Sequence, residues 1–141
     1  VVKNNYQNFD IIIMNAAVAD FRPKTYSESK LKKTKENPLV ELQQNPDILK
    51  FLGENKKEDQ ILIGFAAESE NIIENALDKL KRKNLDVIIA NPLKVFNKDT
   101  YEGYIIFKDG KIIEVQTENK EKASFLILDT IFNKNLSTTN L

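Results

Sequence analysis

The sequence contains no cysteine and no histidine among its 141 residues. These absences exclude disulfides, thiol nucleophiles, zinc sites of cysteine and histidine, serine–histidine–aspartate triads and any histidine general base. Any chemistry on this chain therefore depends on lysine, aspartate, glutamate, asparagine, backbone amides or a cation held by oxygen ligands.

The sequence also lacks an excess of either charge, because 21 basic residues balance 21 acidic ones. A chain without net charge has no overall field to hold it on nucleic acid or on an anionic membrane. No apolar run reaches the roughly 18 residues of a membrane span, and the first residues do not form a secretory signal. We therefore predict a cytoplasmic protein that binds neither nucleic acid nor a membrane.

The sequence does contain an alternation of strands and helices, in a length that suits one domain. Three apolar runs, at residues 9–20, 61–68 and 85–91, are typical of strands buried on both faces in a parallel sheet. Helices are predicted between them, beginning at Asn45-Pro46, with Asn45 as the cap, and at Ser69. The alternation predicts an α/β fold with a mostly parallel sheet flanked by helices.

A β-hairpin interrupts this alternation near the edge of the predicted sheet. Asp109-Gly110 stands between two β-rich runs, which favours a hairpin with a two-residue turn. After it, helical spacing predicts a last helix over residues 120–132, followed by a polar tail at residues 133–141.

Residues 26–44 form a second interruption, a segment without an apolar stripe. Four lysines crowd into it, at positions 30, 32, 33 and 35, before a short alternating strand at 39–42. Such a segment cannot belong to the core, so we predict an exposed lysine-rich flap. The flap is either a solvated loop or a lid that closes over an anionic substrate, and charge alone does not choose between them.

In open α/β sheets, ligands bind beyond the carboxyl ends of the strands. The residues that follow the three apolar runs are 15–20, 65–68 and Asn91-Pro92. The small residues there either admit a ligand close to the backbone or simply fit helix against sheet. Asp20 can bind a ribose, a nucleobase amine or a cation, or it can serve as a loop carboxylate.

Lys79 and Lys83 are four residues apart on one predicted helix. Two ammonium groups on one face can meet a polyphosphate at the end of the sheet. They can equally be cations attracted to the helix C-terminus without any ligand. The residue types leave both interpretations open.

Five motifs occur in a characteristic order along residues 9–132. They are Asn15-Ala16-Ala17-Val18-Ala19-Asp20-Phe21-Arg22-Pro23, the lysine cluster that starts at Lys30, Asn45-Pro46-Asp47-Ile48-Leu49, Gly64-Phe65-Ala66-Ala67-Glu68, and Lys79 to Asp86 with Ala90-Asn91. In this order they resemble the phosphopantothenoylcysteine synthetase domain of bacterial bifunctional coenzyme A biosynthesis proteins.

The resemblance implies a Rossmann-like domain with the activity of a phosphopantothenate–cysteine ligase. In this family the carboxylate of 4'-phosphopantothenate attacks the α-phosphate of CTP in the presence of Mg²⁺, and pyrophosphate leaves. The amine of cysteine then opens the acyl-cytidylate. This chemistry depends on charge neutralisation and positioning, which agrees with the absence of histidine and cysteine.

The resemblance also implies roles for individual residues. Lys30 on the flap is the implied catalytic residue, which stabilises charge during acyl-cytidylate formation and contacts CTP. The other implied CTP-site residues are Met14, Asn15, Ala16, Asp20, Pro46, Asp47, Ile48, Leu49, Phe65, Lys79 and Lys83. The resemblance identifies no metal ligands.

The sequence departs from the family pattern at its beginning. The family's domain starts with a glycine-rich strand and helix and an asparagine-containing segment, and these do not occur in the 141 residues. Residues 1–132 are therefore expected to be the C-terminal portion of the ligase domain, without the FMN-dependent decarboxylase domain. Without the leading strands we expect an exposed sheet edge and exposed apolar surface. Because of this exposure, we expect either poor stability or a partner chain that supplies the missing strands.

Family dimers share active sites, which implies a homodimer, or a larger oligomer through the decarboxylase domain. The alternative to a ligase is a non-catalytic nucleotide-binding module of the same fold, with a regulatory or interaction role.

Overall fold

The computed structural model describes residues 1–26, 39–93 and 99–137. The strands are β1 (Ile11–Met14), β2 (Phe21–Pro23), β3 (Leu42–Gln44), β4 (Ile61–Glu68), β5 (Val87–Pro92), β6 (Tyr101–Phe107) and β7 (Ile112–Thr117). The helices are α1 (Val2–Asn5), a 3-10 turn (Tyr6–Asn8), α2 (Ile48–Asn55), α3 (Ile72–Arg82) and α4 (Lys120–Ser137).

Five strands form one sheet in the order β1-β4-β5-β6-β7. β1, β4 and β5 are parallel, whereas β5 and β6 pair antiparallel, as do β6 and β7. The predicted α/β fold is confirmed, and its sheet is mixed, because the hairpin adds two antiparallel pairings to the two parallel ones. β2 and β3 form a separate antiparallel pair.

The sheet is covered on both faces, which explains the continuous apolar runs of β4 and β5. One core cluster joins alternate strand residues to α2 and α3, and it includes Leu52, Leu62, Leu80 and Ile88. The other joins the intervening strand residues to α4, and it includes Ile63, Ile89, Ala123 and Ile127. Neighbouring residues of one strand therefore enter different cores.

β1 differs from the other two parallel strands. Among the described residues it pairs with β4 alone, and Ile13 is 44% exposed. The expectation that the first apolar run is a strand buried on both faces is therefore wrong for β1. The run itself forms a strand only from Ile11 to Met14.

Both predicted helix starts are displaced. Asp47, and not Asn45, caps α2, because its carboxylate accepts a hydrogen bond from the backbone N–H of Lys50 at 2.9 Å. α3 begins after Asn71, which has a left-handed backbone (φ 49°) and makes no side-chain cap, so Ser69 is not the cap. The side chain of Asn45 is used elsewhere, as described below.

The hairpin between β6 and β7 forms as predicted, but its turn is one residue longer. Gly110 donates its N–H to the carbonyl of Phe107 at 3.0 Å, and Phe107 donates to Lys111 at 2.9 Å, so three residues lie between the paired positions. Gly110 takes φ 90°, a left-handed conformation that only glycine adopts readily. A left-handed residue after a tight turn is the usual form of a three-residue loop.

The predicted flap falls mainly outside the described residues, including its lysines at 30, 32, 33 and 35. The strand expected at 39–42 lies at Leu42–Gln44, where it pairs with β2. α4 continues past its predicted end to Ser137. In the part of the chain that the structure describes, no helix has both the length and the apolar character to span a membrane.

Candidate functional site

A cavity of about 750 Å³ lies at the carboxyl ends of the three parallel strands. Every implied site residue that the structure describes lines it. These are Met14, Asn15, Ala16, Asp20, Pro46, Asp47, Ile48, Leu49, Phe65, Lys79 and Lys83. Lys30 lies outside the described residues. The structure thus brings together residues from four separate motifs, while their roles in binding stay predictions.

The first wall of the cavity is the loop that follows β1, residues 15–20. Its residues are exposed, and three of them are alanines, at positions 16, 17 and 19. Methyl side chains cover little of the backbone, so a ligand can approach the peptide groups closely. The carboxylate of Asp20 closes this wall.

The second wall is the start of α2. Asp47 caps the helix, Pro46 precedes it without an N–H to offer, and Ile48 and Leu49 occupy its first turn. The first amides of a helix have no partners within it and carry partial positive charge. This wall therefore suits an anionic group.

The third wall carries Lys79 of α3 and Lys83, the residue that directly follows this helix. The ammonium group of Lys79 donates to the carbonyl of Phe65 at 2.9 Å. That of Lys83, whose side chain is only 10% exposed, forms an ion pair with Asp47. A buried ammonium group needs such a partner, because removal from water is costly. Two cations are thus held at the cavity by a carbonyl and a carboxylate.

Lys79 and Lys83 both line the cavity, and their contact with a nucleotide phosphate stays a prediction. Lys83 follows the last residue of α3, and its backbone N–H still donates to the carbonyl of Lys79 at 3.0 Å, so the helical spacing of the two lysines continues across the helix end.

Two further asparagines belong to the cavity and were not among the predicted site residues. Asn91 follows the buried part of β5 and lines the cavity beside Phe65. Its place directly after an apolar run was the signal for it. The sequence predicts Asn45 as a helix cap, and this prediction gives no indication of its contact with another wall of the cavity. In the structure its side-chain amide donates to the carbonyl of Ala19 at 2.6 Å.

A second cavity, of about 440 Å³, lies on the opposite face of the sheet under α4. It shares Asn15, Phe65 and Asn91 with the first, and most of its walls are apolar. Tyr101 lines it, and the hydroxyl of this residue is buried without a hydrogen-bond partner. Burial raises the pKa of Tyr101 to about 12.

The described part of the site does not hold a cluster of metal-binding side chains. Across the described ranges, no three acidic side chains gather as they would around a metal ion. Asp20 and Asp47 are the carboxylates that line the first cavity, and Asp47 is paired with Lys83.

Fold and cavity together define an α/β domain whose anion-compatible cavity lies at the carboxyl ends of parallel strands. Residues 1–134 match the family model described as the DNA/pantothenate metabolism flavoprotein C-terminal domain. The chain belongs to this family.

Two relatives of this chain agree with the family assignment. The chain is 48% identical over 129 residues to the coenzyme A biosynthesis bifunctional protein CoaBC of Borreliella burgdorferi, and 48% identical over 130 residues to the protein of the same name from Bacillus subtilis. The alignments cover 90% and 89% of this chain but 33% and 32% of the relatives, so the chain spans a third of their length.

A solved structure agrees as well. The crystal structure of the C-terminal domain of a CoaBC protein is similar with a TM-score of 0.72 and 41% sequence identity. The similarity covers 92% of this chain and 57% of that one.

Proposed function

We propose that this chain is the CTP-binding part of a phosphopantothenate–cysteine ligase of coenzyme A biosynthesis. The observation that carries the proposal is the single cavity at the strand ends, which the described residues of four motifs line together. Family membership and the CoaBC relatives support the same reaction.

The size and the charged residues of the cavity are compatible with a nucleoside triphosphate. A volume of about 750 Å³ falls within the range of small-molecule sites. Lys79, Lys83 and the start of α2 are the groups proposed to bind phosphates, as point charges and as helix amides. Asp20 and the peptide groups of the alanine-rich loop are proposed to bind the nucleoside.

In the proposed reaction the protein binds and orients the reactants and supplies positive charge. The carboxylate of 4'-phosphopantothenate attacks the α-phosphorus of CTP, a P–O bond forms, and the bond to pyrophosphate breaks. Lys79 and Lys83 are proposed to neutralise the phosphate charge in this step. The amine of cysteine then attacks the acyl carbon, and CMP leaves as the amide forms. Lys30 is proposed to stabilise charge in the first step.

Mg²⁺ is part of the proposal as the ion that accompanies the triphosphate. Magnesium is usually held by substrate phosphates, several waters and one or two carboxylates. Of the described carboxylates that line the cavity, Asp20 fits this role, because Asp47 is engaged with Lys83. When bound, the ion would neutralise phosphate charge.

The other proposed features concern the rest of the protein. The relatives are named bifunctional proteins, and the chain spans a third of them. We propose that an FMN-dependent decarboxylase domain belongs to the same protein, that the ligase part forms a homodimer, and that CTP is preferred over ATP.

Pyrophosphate release tests the proposal directly. The full-length protein that carries this sequence is mixed with 4'-phosphopantothenate, Mg²⁺ and either CTP or ATP, with and without cysteine. We expect release with CTP, much slower release with ATP, and accumulation of acyl-cytidylate when cysteine is omitted. Lys30→Gln should abolish the acyl-cytidylate, whereas Lys57→Gln, on the surface away from the cavity, should not. Tight CTP binding without any pyrophosphate release would overturn the ligase and favour a nucleotide-binding module.

A further inference from the structure

We propose that Asn45 is a positioning residue that fixes two walls of the nucleotide cavity relative to each other. The proposal rests on the proposed function of that cavity. It assigns to Asn45 an effect on nucleotide affinity through other residues, and no direct role in the chemistry.

Asn45 uses both ends of its side-chain amide. The NH₂ group donates to the carbonyl of Ala19 at 2.6 Å, and the oxygen accepts from the guanidinium of Arg22 at 2.9 Å. The backbone N–H of Asn45 also donates to the carbonyl of Asp20, at 2.8 Å. A single residue is therefore bound to three positions of the segment that leaves β1.

These contacts join the two walls that come from distant parts of the sequence. Ala19 and Asp20 belong to the loop after β1, and Asn45 directly precedes Pro46 and Asp47 at the start of α2. Pro46 has no N–H, so it cannot add a backbone hydrogen bond of its own. Among the described residues, the same two segments are also connected by the β2–β3 pair, with three residues on each strand. A two-stranded pair of this length is weak by itself.

A cavity whose walls are already ordered binds its ligand more tightly than a cavity whose walls become ordered only when the ligand binds. Ordering loops on binding costs affinity, and a hydrogen bond that orders them beforehand removes this cost. Loss of the Asn45 side chain should therefore weaken nucleotide binding more than it weakens the fold. Its partners Ala19 and Arg22 are exposed and belong to neither core cluster.

The chain offers a matched control on the same strand pair. Lys24 and Glu41, the residues next to the end of the β2–β3 pair, form an exposed ion pair at 2.6 Å, and neither residue lines the cavity. Glu41→Gln removes the negative charge of this pair and leaves the Asn45 contacts in place. Asn45→Ala removes both side-chain bonds. Asn45→Asp keeps an acceptor for Arg22 but cannot donate to Ala19.

The experiment measures CTP affinity, KM values and thermal stability in the full-length protein. We expect Asn45→Ala and Asn45→Asp to raise the Kd and the KM for CTP roughly tenfold, in line with the loss of one or two hydrogen bonds. The KM for 4'-phosphopantothenate should stay within about twofold, and Tm should fall by no more than about 2 °C. Glu41→Gln should resemble the wild type in all of these.

The KM values separate positioning from a merely structural role, because partial unfolding lowers the active fraction and leaves KM unchanged. Wild-type affinity for CTP in either Asn45 variant would overturn the proposal, as would an equal rise in both KM values. A wild-type protein that does not bind CTP would instead overturn the proposed function. The two failures are therefore distinguishable.

Discussion

Asp47 makes two different contacts with one carboxylate. It accepts from the N–H of Lys50 as the cap of α2, and it pairs with the buried ammonium group of Lys83. Because the pair joins the residue before α2 to the residue after α3 at the cavity, its strength matters for both the stability of the fold and the charge of the cavity. A nucleotide phosphate at this site would have to share Lys83 with Asp47.

A double-mutant cycle on Asp47→Asn and Lys83→Met should give a coupling free energy of about 1–2 kcal/mol, less than for a fully buried pair because Asp47 is 44% exposed. Asparagine keeps the helix cap, so the cycle isolates the charge interaction. Urea unfolding of the four proteins measures it. The exposed pair Lys24–Glu41 serves as control, with an expected coupling below about 1 kcal/mol. Equal coupling in the two pairs would contradict the prediction.

Tyr101→Phe should stabilise the protein by about 1 kcal/mol, because the buried hydroxyl has no hydrogen-bond partner to compensate for its desolvation. Since burial raises the pKa of Tyr101 from 10.0 to about 12, the unfolded chain loses this proton first. The stability of the wild type should therefore fall as the pH rises through 10 towards 12, and be unaffected by this residue below 10. Tyr101→Phe should not show this pH-dependent loss of stability.

Denaturant unfolding at several pH values measures the Tyr101 effect. Tyr104→Phe, three residues further along the same strand, provides the comparison. A Tyr101→Phe variant that is less stable than the wild type at pH 7 would show that the hydroxyl makes a compensating hydrogen bond after all.

Helix α2 approaches the end of α3 closely at Gly53. A Cβ atom at this position would overlap the carbonyl of Lys83, and the side chain of Asn84 donates to the carbonyl of Gly53 at 2.7 Å. The two elements therefore pack backbone against backbone, directly beside a lysine of the cavity.

Gly53→Ala should destabilise the protein by about 2–3 kcal/mol through overpacking, although alanine is the better helix former. Gly110→Ala offers a contrast, because nothing lies within 4 Å of an added Cβ there and only the left-handed backbone is strained. Its expected cost is about 1 kcal/mol. Thermal or urea unfolding compares the two, and a Gly53→Ala variant as stable as the wild type would contradict the packing argument.

The elements that the sequence predicts well are those whose burial leaves a pattern. β4 and β5 are buried on both faces, so their continuous apolar runs were sufficient to predict them as strands. β2 left no signal, because Phe21, Arg22 and Pro23 are all exposed and held only by pairing with β3. The carboxyl end of a strand is a general ligand position, and the predicted site residues that the structure describes line one cavity there, while their roles stay predictions.

The start of α2 illustrates why local pattern is not enough. Asn45 and Asp47 are both good capping residues, and the choice between them depends on a contact to Ala19, a residue 26 positions earlier. Similarly, Asp-Gly favours a tight turn, but the length of the loop depends on the register of β6 and β7. Such choices are made by tertiary contacts that a single sequence does not display.

At the scale of the whole molecule, apolar surface remains uncovered along α4. Phe125 and Phe132 are 68% and 41% exposed, and helical spacing places them on one face with Leu128. Ile13 on the neighbouring edge strand is 44% exposed. This agrees with the expectation of exposed sheet edge and apolar surface.

The 141-residue chain alone should therefore bind the dye ANS and elute as a polydisperse species. Phe125→Gln with Phe132→Gln should lower the dye fluorescence severalfold and increase the monomer fraction, as measured by size-exclusion chromatography with light scattering. Tyr26→Gln, at a site 90% exposed but away from this surface, should change neither. A monodisperse wild-type chain that does not bind the dye would contradict the prediction.

The hairpin turn at Lys108–Gly110 points away from the cavity. β6 pairs antiparallel with β5, so Phe107 lies opposite Val87, the first residue of β5, while the cavity lies at the other end of that strand. The turn is thus an attachment point for a fluorophore or an inserted peptide that reports on ligand binding without obstructing it. Because β6 runs antiparallel to β5, the hairpin turn and the cavity proposed for catalysis lie at opposite ends of the sheet, so the turn can be modified without contact with the cavity.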